Sequence, residues 1–205
     1  MADLIEFLRV AVGGFALLAL AYILFGILRG ARRPVGTSAG RYWNWLRSPL
    51  FYVAASILFF GACILIWIPL PKMLFAGEFA VLGALICFSG LAFVVWGRSA
   101  LGDMFFASTG FGAQLFADHR LITRGPYAIV RHPIYLGYIV AAAGSLLLYQ
   151  TWTTVFLILC ALGVIRRALR EEEVLAKAFG AEWAEYRQRV PMLLPRLLKS
   201  GEKHG

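Results

Sequence analysis

Charge is what this 205-residue chain has least of: 15% of its residues are Asp, Glu, Lys or Arg, against about 25% in soluble globular domains. Beside 60% apolar residues and a mean hydropathy of +0.74, that shortage excludes an ordinary water-soluble domain. A fold of this size has too little interior to hide so many Leu, Phe, Ala and Val side chains. Cysteine is scarce as well. Cys63, Cys87 and Cys160 all fall inside apolar runs with no CxxC partner, which excludes a disulfide framework or a zinc motif and leaves them as small buried residues. A dinucleotide-binding glycine loop is also missing: Gly110-Phe111-Gly112 starts like one, but no third glycine follows and no strand is expected before it. There is no internal repeat, and low complexity is confined to the polar end, Ser200 to Gly205. Aromatic residues, in contrast, are plentiful at 15%, which excludes disorder. The class that remains is an integral membrane protein.

Five apolar runs carry that reading. The first goes from Leu4 to Leu28 and is free of charge from Val10 onward, a stretch that rises roughly 28 Å as a helix, enough for the hydrocarbon core. Its acidic start, Asp3 and Glu6, is unlike the basic start of a cleavable signal peptide, so a permanent anchor is expected. The second run covers Phe51 to Ile68 and the third Phe79 to Trp96, with Pro69-Leu70-Pro71-Lys72 between them as a turn; the two are expected to form a helical hairpin. The fourth, Ile134 to Tyr149, and the fifth, Trp152 to Ile165, are separated only by Gln150 and Thr151. At roughly 24 and 21 Å they are short for full spans, so a second hairpin that tilts or extends past these limits is expected. The fold class is therefore an all-α, polytopic membrane protein of about five transmembrane helices with a cytoplasmic helical tail.

Acidic residues are few, 11 against 20 basic, giving a net charge of +9. In a five-span arrangement, 18 of the 20 basic residues lie on one side, and only Arg9 and Lys72 fall on the other. The asymmetry predicts an N-terminus outside and a C-terminus in the cytoplasm. Because the basic residues are spread over loops rather than gathered on one element, membrane topology accounts for them and nucleic acid is not an expected partner.

Chemistry concentrates in two places. His119, Arg120, Arg124, Gly125, Pro126, Tyr127, Arg131, His132, Pro133 and Tyr135 crowd into 17 positions. Pro133 biases His132 away from helix and suits the first turn of the fourth span, so Arg131 and His132 are expected at a helix N-terminus, where backbone N–H groups favour an anion. The second concentration, Arg166, Arg167, Arg170, Glu171, Glu172 and Glu173, continues the fifth span out of the membrane, and Arg167 and Glu171 share a helix face at i, i+4. A hairpin of the last two spans brings both groups to one cytoplasmic edge. Each also has a plainer reading: the arginines as positive-inside anchors, the glutamates as a solvated face, and His132, Tyr127 and Tyr135 as interfacial residues.

Taken together, the order His119-Arg120-Leu121-Ile122, Gly125-Pro126-Tyr127, Arg131-His132-Pro133-Ile134-Tyr135-Leu136-Gly137, Glu171-Glu172, Leu175, Phe179-Gly180, Trp183, Tyr186, Val190-Pro191 and Pro195 resembles the isoprenylcysteine carboxyl methyltransferase family, within the wider group that includes phospholipid methyltransferases. The resemblance runs from about Trp96 to Arg196, and Trp183 stands where the family usually has Tyr.

The resemblance implies a single membrane domain, with residues 1–95 as scaffold spans and 96–196 as the methyltransferase core. It implies S-adenosylmethionine as cofactor, with no metal. By the family pattern, His119, Arg120, Leu121, Ile122, Tyr127, His132, Pro133, Ile134, Tyr135 and Glu171 line the cofactor pocket. Arg167 meets the acceptor's carboxylate, and Arg167 and Glu171 are the expected catalytic pair. The partners implied are a lipophilic, prenylcysteine-like or lipid substrate and the membrane lipids themselves. The rival readings are a phospholipid N-methyltransferase, a sterol-type reductase using a nicotinamide cofactor, and an accessory protein without activity. The acceptor and the oligomeric state are not legible in the sequence.

Overall fold

The computed structural model describes residues 1–30, 33–40, 49–71, 79–105 and 112–195. Five helices dominate: α1 (Ala2–Gly30), α2 (Pro49–Leu65), α3 (Phe79–Leu101), α4 (Pro133–Tyr149) and α5 (Trp152–Arg189). Three helical stretches, Ala2–Gly30, Phe79–Met104 and Trp152–Arg189, are long and apolar enough to cross a membrane, while Leu50–Leu65 and Pro133–Tyr149 are shorter apolar helices. The chain is a polytopic integral membrane protein. One departure from an all-helical fold is a two-stranded antiparallel ribbon, β1 (Val35–Gly40) with β2 (Gly112–Phe116), in which Ser38 faces Gln114.

The framework is the α3–α4 pair, and its closeness comes from glycine. In lipid no hydrophobic difference drives helices together, so tight association needs small residues that let backbones touch. Gly83, Gly90 and Gly97 recur every seven residues on α3, and Gly137 and Gly144 do so on α4. A Cβ on Gly90 would lie 2.4 Å from the backbone nitrogen of Ala141, and one on Gly144 would lie 2.4 Å from that of Cys87. Neither position has room for a methyl group.

Helix α1 packs across this pair. Ile23 joins Val94, Ile134 and Tyr135 in one buried cluster, and Gly26 opens a slot for the buried Arg98 side chain. The Arg98 guanidinium donates to the Gly102 carbonyl at 2.8 Å and lies over the rings of Tyr22 and Phe105. Its aliphatic stem and flat head are thereby accommodated within the bundle.

The expected α2–α3 hairpin has most of its connection, residues 72–78, outside the described residues. Among the described residues α2 touches the start of α5, where Thr153 donates to the Cys63 carbonyl at 2.8 Å and the Phe59 and Phe156 rings are 5.8 Å apart. Pro69 bridges to Thr151.

The α4–α5 hairpin does form. Gln150 takes the left-handed conformation (φ 50°, ψ 52°), and Thr151 caps α5 with a reciprocal pair of bonds to Thr154, the arrangement of a capping box. What looks in the sequence like a short fifth span is the first part of a 38-residue helix that carries the second charged cluster on the same rod, bent at Gly180 (φ 48°). Hairpin and rod together bring the start of α4 and the middle of α5 to one end of the bundle.

Candidate functional site

A cavity of roughly 290 Å³ opens at that end, bounded by α1, the 101–105 segment, the chain from Leu115 to Ile122, the start of α4, and α5 with its tail. His119, Leu121 and Ile122 form one wall; Tyr127, His132, Ile134 and Tyr135 form another; Arg167 and Glu171 reach it from α5. Two residues named from the sequence are not in the lining. Arg120 is exposed, with its backbone N–H on the Met104 sulfur at 3.3 Å. Pro133 is buried against α3 at Gly97.

The polar end of the cavity is a chain of alternating charges. Arg131 donates through Nε and Nη2 to Oε1 of Glu172, at 2.9 and 2.7 Å, and through Nη1 to the carbonyls of Val190 (2.6 Å) and Arg187 (3.1 Å). His132 comes next, with Nε2 3.3 Å from Glu172 Oε1 and Nδ1 3.6 Å from Glu171 Oε2. Glu171 accepts a hydrogen bond from the Tyr135 hydroxyl and lies 3.9 Å from Nε of Arg167. The Tyr135 ring stacks on His132 at 5.6 Å and carries the Arg167 guanidinium over its face. The i, i+4 spacing of Arg167 and Glu171 places both at the cavity, because one face of α5 points there.

Burial alone would push the His132 imidazole down, but its hydrogen bonds to Glu171 and Glu172 and their charges outweigh that and hold it above its ordinary value. His119 behaves oppositely: burial pushes it down to about 4, against weaker opposing pulls from Asp118 and Glu171. It is therefore neutral at physiological pH. Its Nδ1 is buried on the cavity wall without a hydrogen-bond partner among the described residues, an orphaned polar atom of the kind a ligand satisfies.

The start of α4 lies where the sequence places it, with His132 as the N-cap and Pro133 in the first turn. The amides of Arg131 and His132 are already engaged, donating to the carbonyls of Pro191 (2.8 Å) and Met192 (3.1 Å), and Pro133 has no N–H. The tail therefore ties down the two residues that precede the helix.

Three contributions escaped the sequence. Leu20, Ile23, Leu24 and Ile27 of α1 line the cavity; their i, i+3, i+4, i+7 spacing marks one face of the helix, but the opposite face is equally apolar, with Leu18 and Phe25 more than half exposed. Trp183 and Tyr186 fold back from beyond the Gly180 bend to close the far side. The Arg131–Glu172 pair was visible only as two charged residues within the clusters. The adjacency of two glutamates, one turned to the cavity and its neighbour inward, was the available signal.

Comparison with known proteins follows the same core. A family model described as phospholipid methyltransferase matches residues 79–182. Protein-S-isoprenylcysteine O-methyltransferase of Schizosaccharomyces pombe is 36% identical over 80 residues, 38% of this chain and 34% of that protein. Methanethiol S-methyltransferase 1 of Bradyrhizobium diazoefficiens is 29% identical over 177 residues, 75% of this chain and 58% of that one. The chain thus spans roughly a third to three fifths of the length of these relatives. Among solved structures, the eukaryotic intramembrane Ras methyltransferase (isoprenylcysteine carboxyl methyltransferase) has a similar fold, with a TM-score of 0.51, 23% identity, and coverage of 73% of this chain and 53% of that one.

Proposed function

The chain belongs to the phospholipid methyltransferase family, and from that premise we propose that it is an integral membrane methyltransferase that uses S-adenosylmethionine on a lipophilic acceptor, with carboxyl O-methylation of an isoprenylcysteine or similar compound as its reaction. The observation that carries this reading is the make-up of one cavity: Arg167, Glu171 and the unpartnered His119 at its polar end, continuous with an apolar wall from α1.

The residues present fit the cofactor. Glu171 suits its ammonium group, the orphaned Nδ1 of His119 offers a partner to a polar ring edge, and Leu121, Ile122, Ile134 and Tyr127 supply apolar contact. When bound, S-adenosylmethionine supplies an electrophilic methyl group on a sulfonium. Arg167 presents a planar fork matched to an acceptor carboxylate, and its place over the Tyr135 ring limits where that fork can point. A carboxylate is already nucleophilic, so the protein's task is alignment rather than proton removal. The apolar walls keep water from the reacting groups. An acceptor with a long apolar tail can reach the site from the side along α1, with the polar end and the C-terminus on the cytoplasmic face and the N-terminus outside, in keeping with the distribution of basic residues.

The description of the matching family favours a second reading, methylation of a phospholipid amine. One assay separates the two: labelled methyl transfer by the purified protein to prenylcysteine analogues and to total lipid extracts. Base-labile methyl esters on the analogues support the first reading, and labelled lipid amines the second. Transfer to neither, together with no binding of the cofactor, overturns both.

A further inference from the structure

Arg131 is an unusual arginine for a membrane protein, because nearly all of its hydrogen-bonding capacity is spent inside the fold. It is buried, and four of its guanidinium bonds run to Glu172, Val190 and Arg187 while its own amide donates to Pro191. Its partner Glu172 is buried too and is not among the cavity-lining residues. A buried ion pair stabilises little compared with apolar residues of the same volume, since desolvation consumes most of the attraction. What it does achieve is geometry. Oε1 of Glu172 accepts both Arg131 bonds and also faces Nε2 of His132 at 3.3 Å, so the place of that oxygen decides how the imidazole is turned.

We propose that Arg131 and Glu172 are positioning residues: anchored to the carbonyls of the α5 tail, they hold the His132 ring through Glu172 Oε1 so that its other nitrogen is directed at Glu171 on the cavity wall. The inference rests on the cofactor reading above, because Glu171 is the group whose placement then matters. A neutral imidazole has one N–H and can donate to only one of the two carboxylates, whereas the imidazolium donates to both. The groups facing His132 are Glu171, Glu172 and Arg167 from α5, Tyr135 stacked beside it on α4, and the neighbouring Arg131. With His132 charged, these arginines, glutamates and histidine sum to one positive charge; with it neutral they cancel. The tail segment is the anchor of the arrangement, since Pro191 and Met192 also take the amides of residues 131 and 132.

The chain has three histidines, so ring-labelled His in full-length protein in lipid nanodiscs gives a spectrum simple enough to follow His132 directly. Binding of S-adenosylhomocysteine is measured by calorimetry on the same samples across pH. Glu172→Gln is expected to lower the His132 titration by on the order of one unit and to weaken binding by roughly tenfold near neutral pH, with Glu172→Asp restoring part of both. Should Glu172→Gln fail to fold, the double replacement Arg131→Met with Glu172→Met removes the pair without stranding a charge and is expected to show the same two effects. An unchanged His132 titration, or a lowered one with binding unchanged at every pH, overturns the proposal. Wild-type protein whose His132 titrates high but which binds no S-adenosylhomocysteine counts against the cofactor reading instead, and the resonance shift then judges the positioning by itself.

Discussion

The backbone nitrogen of Ala141 lies where the side chain of residue 90 would begin: a Cβ on Gly90 would sit 2.4 Å away from it. The neighbouring obstacles, the Gly137 carbonyl and the Ala141 Cα, are backbone as well, so nothing can swing aside. Gly90→Ala is expected to destabilise the α3–α4 pair by about 1–3 kcal/mol and to lower the melting temperature in detergent. Gly14→Ala and Gly61→Ala, where nothing lies within 4 Å, are expected to be neutral or slightly stabilising. Gly26→Ala should fall between, because the atoms it meets belong to the end of the Arg98 side chain. Equal melting temperatures for Gly90→Ala and Gly14→Ala would show that the two helices are not this close.

Two histidines set opposite limits on stability. His119 has its folded value lowered to about 4 from 6.5, so the unfolded chain binds more protons between those values and stability falls as pH drops through them. His132 has its folded value raised, so its contribution is complete below 6.5 and is lost as pH rises through the folded value. Together they place a stability maximum near 6.5. Melting curves against pH check this, and His119→Asn is expected to flatten the acid limb while leaving the alkaline limb in place.

Arg167 is assigned to the acceptor and Glu171 to the cofactor. Arg167→Ala should therefore reduce turnover on the order of 100-fold with little change in the affinity for S-adenosylhomocysteine, while Glu171→Ala should weaken that affinity directly. The contact between the two, at 3.9 Å, is long enough for the effects to separate. Equal weakening of cofactor binding by both variants would show that the division of roles is wrong.

The α1 wall is expected to govern which acceptors enter. Leu24→Trp adds bulk on the cavity side of α1 and should raise the KM for a long-chain acceptor about tenfold with the cofactor affinity unchanged. Phe25→Trp, on the exposed face of the same helix, is the matched control. If both variants behave alike, the acceptor does not pass along α1.

Much of this molecule can be read from its residue order alone. The shortage of charge and the lengths of the apolar runs determine a polytopic membrane protein, because lipid tolerates only backbone that is internally bonded. Gln150 and Thr151, squeezed between two apolar runs, determine the α4–α5 hairpin, and the i, i+4 spacing determines that Arg167 and Glu171 share a face. Only the tertiary structure decides the rest. It turns Leu20 and Leu24 of α1 to the cavity and Leu18 to the outside, although all three are leucine. It brings α2 into contact with the start of α5, and it sinks Glu172 beside Arg131 while Glu171, one position away, reaches the cavity. Glu172 is drawn inward by the buried Arg131 guanidinium, and the two apolar cases share one reason. In a membrane, both the protein interior and the surrounding lipid are apolar, so a hydrophobic pattern that would separate core from surface in water is silent about which face meets protein and which meets lipid.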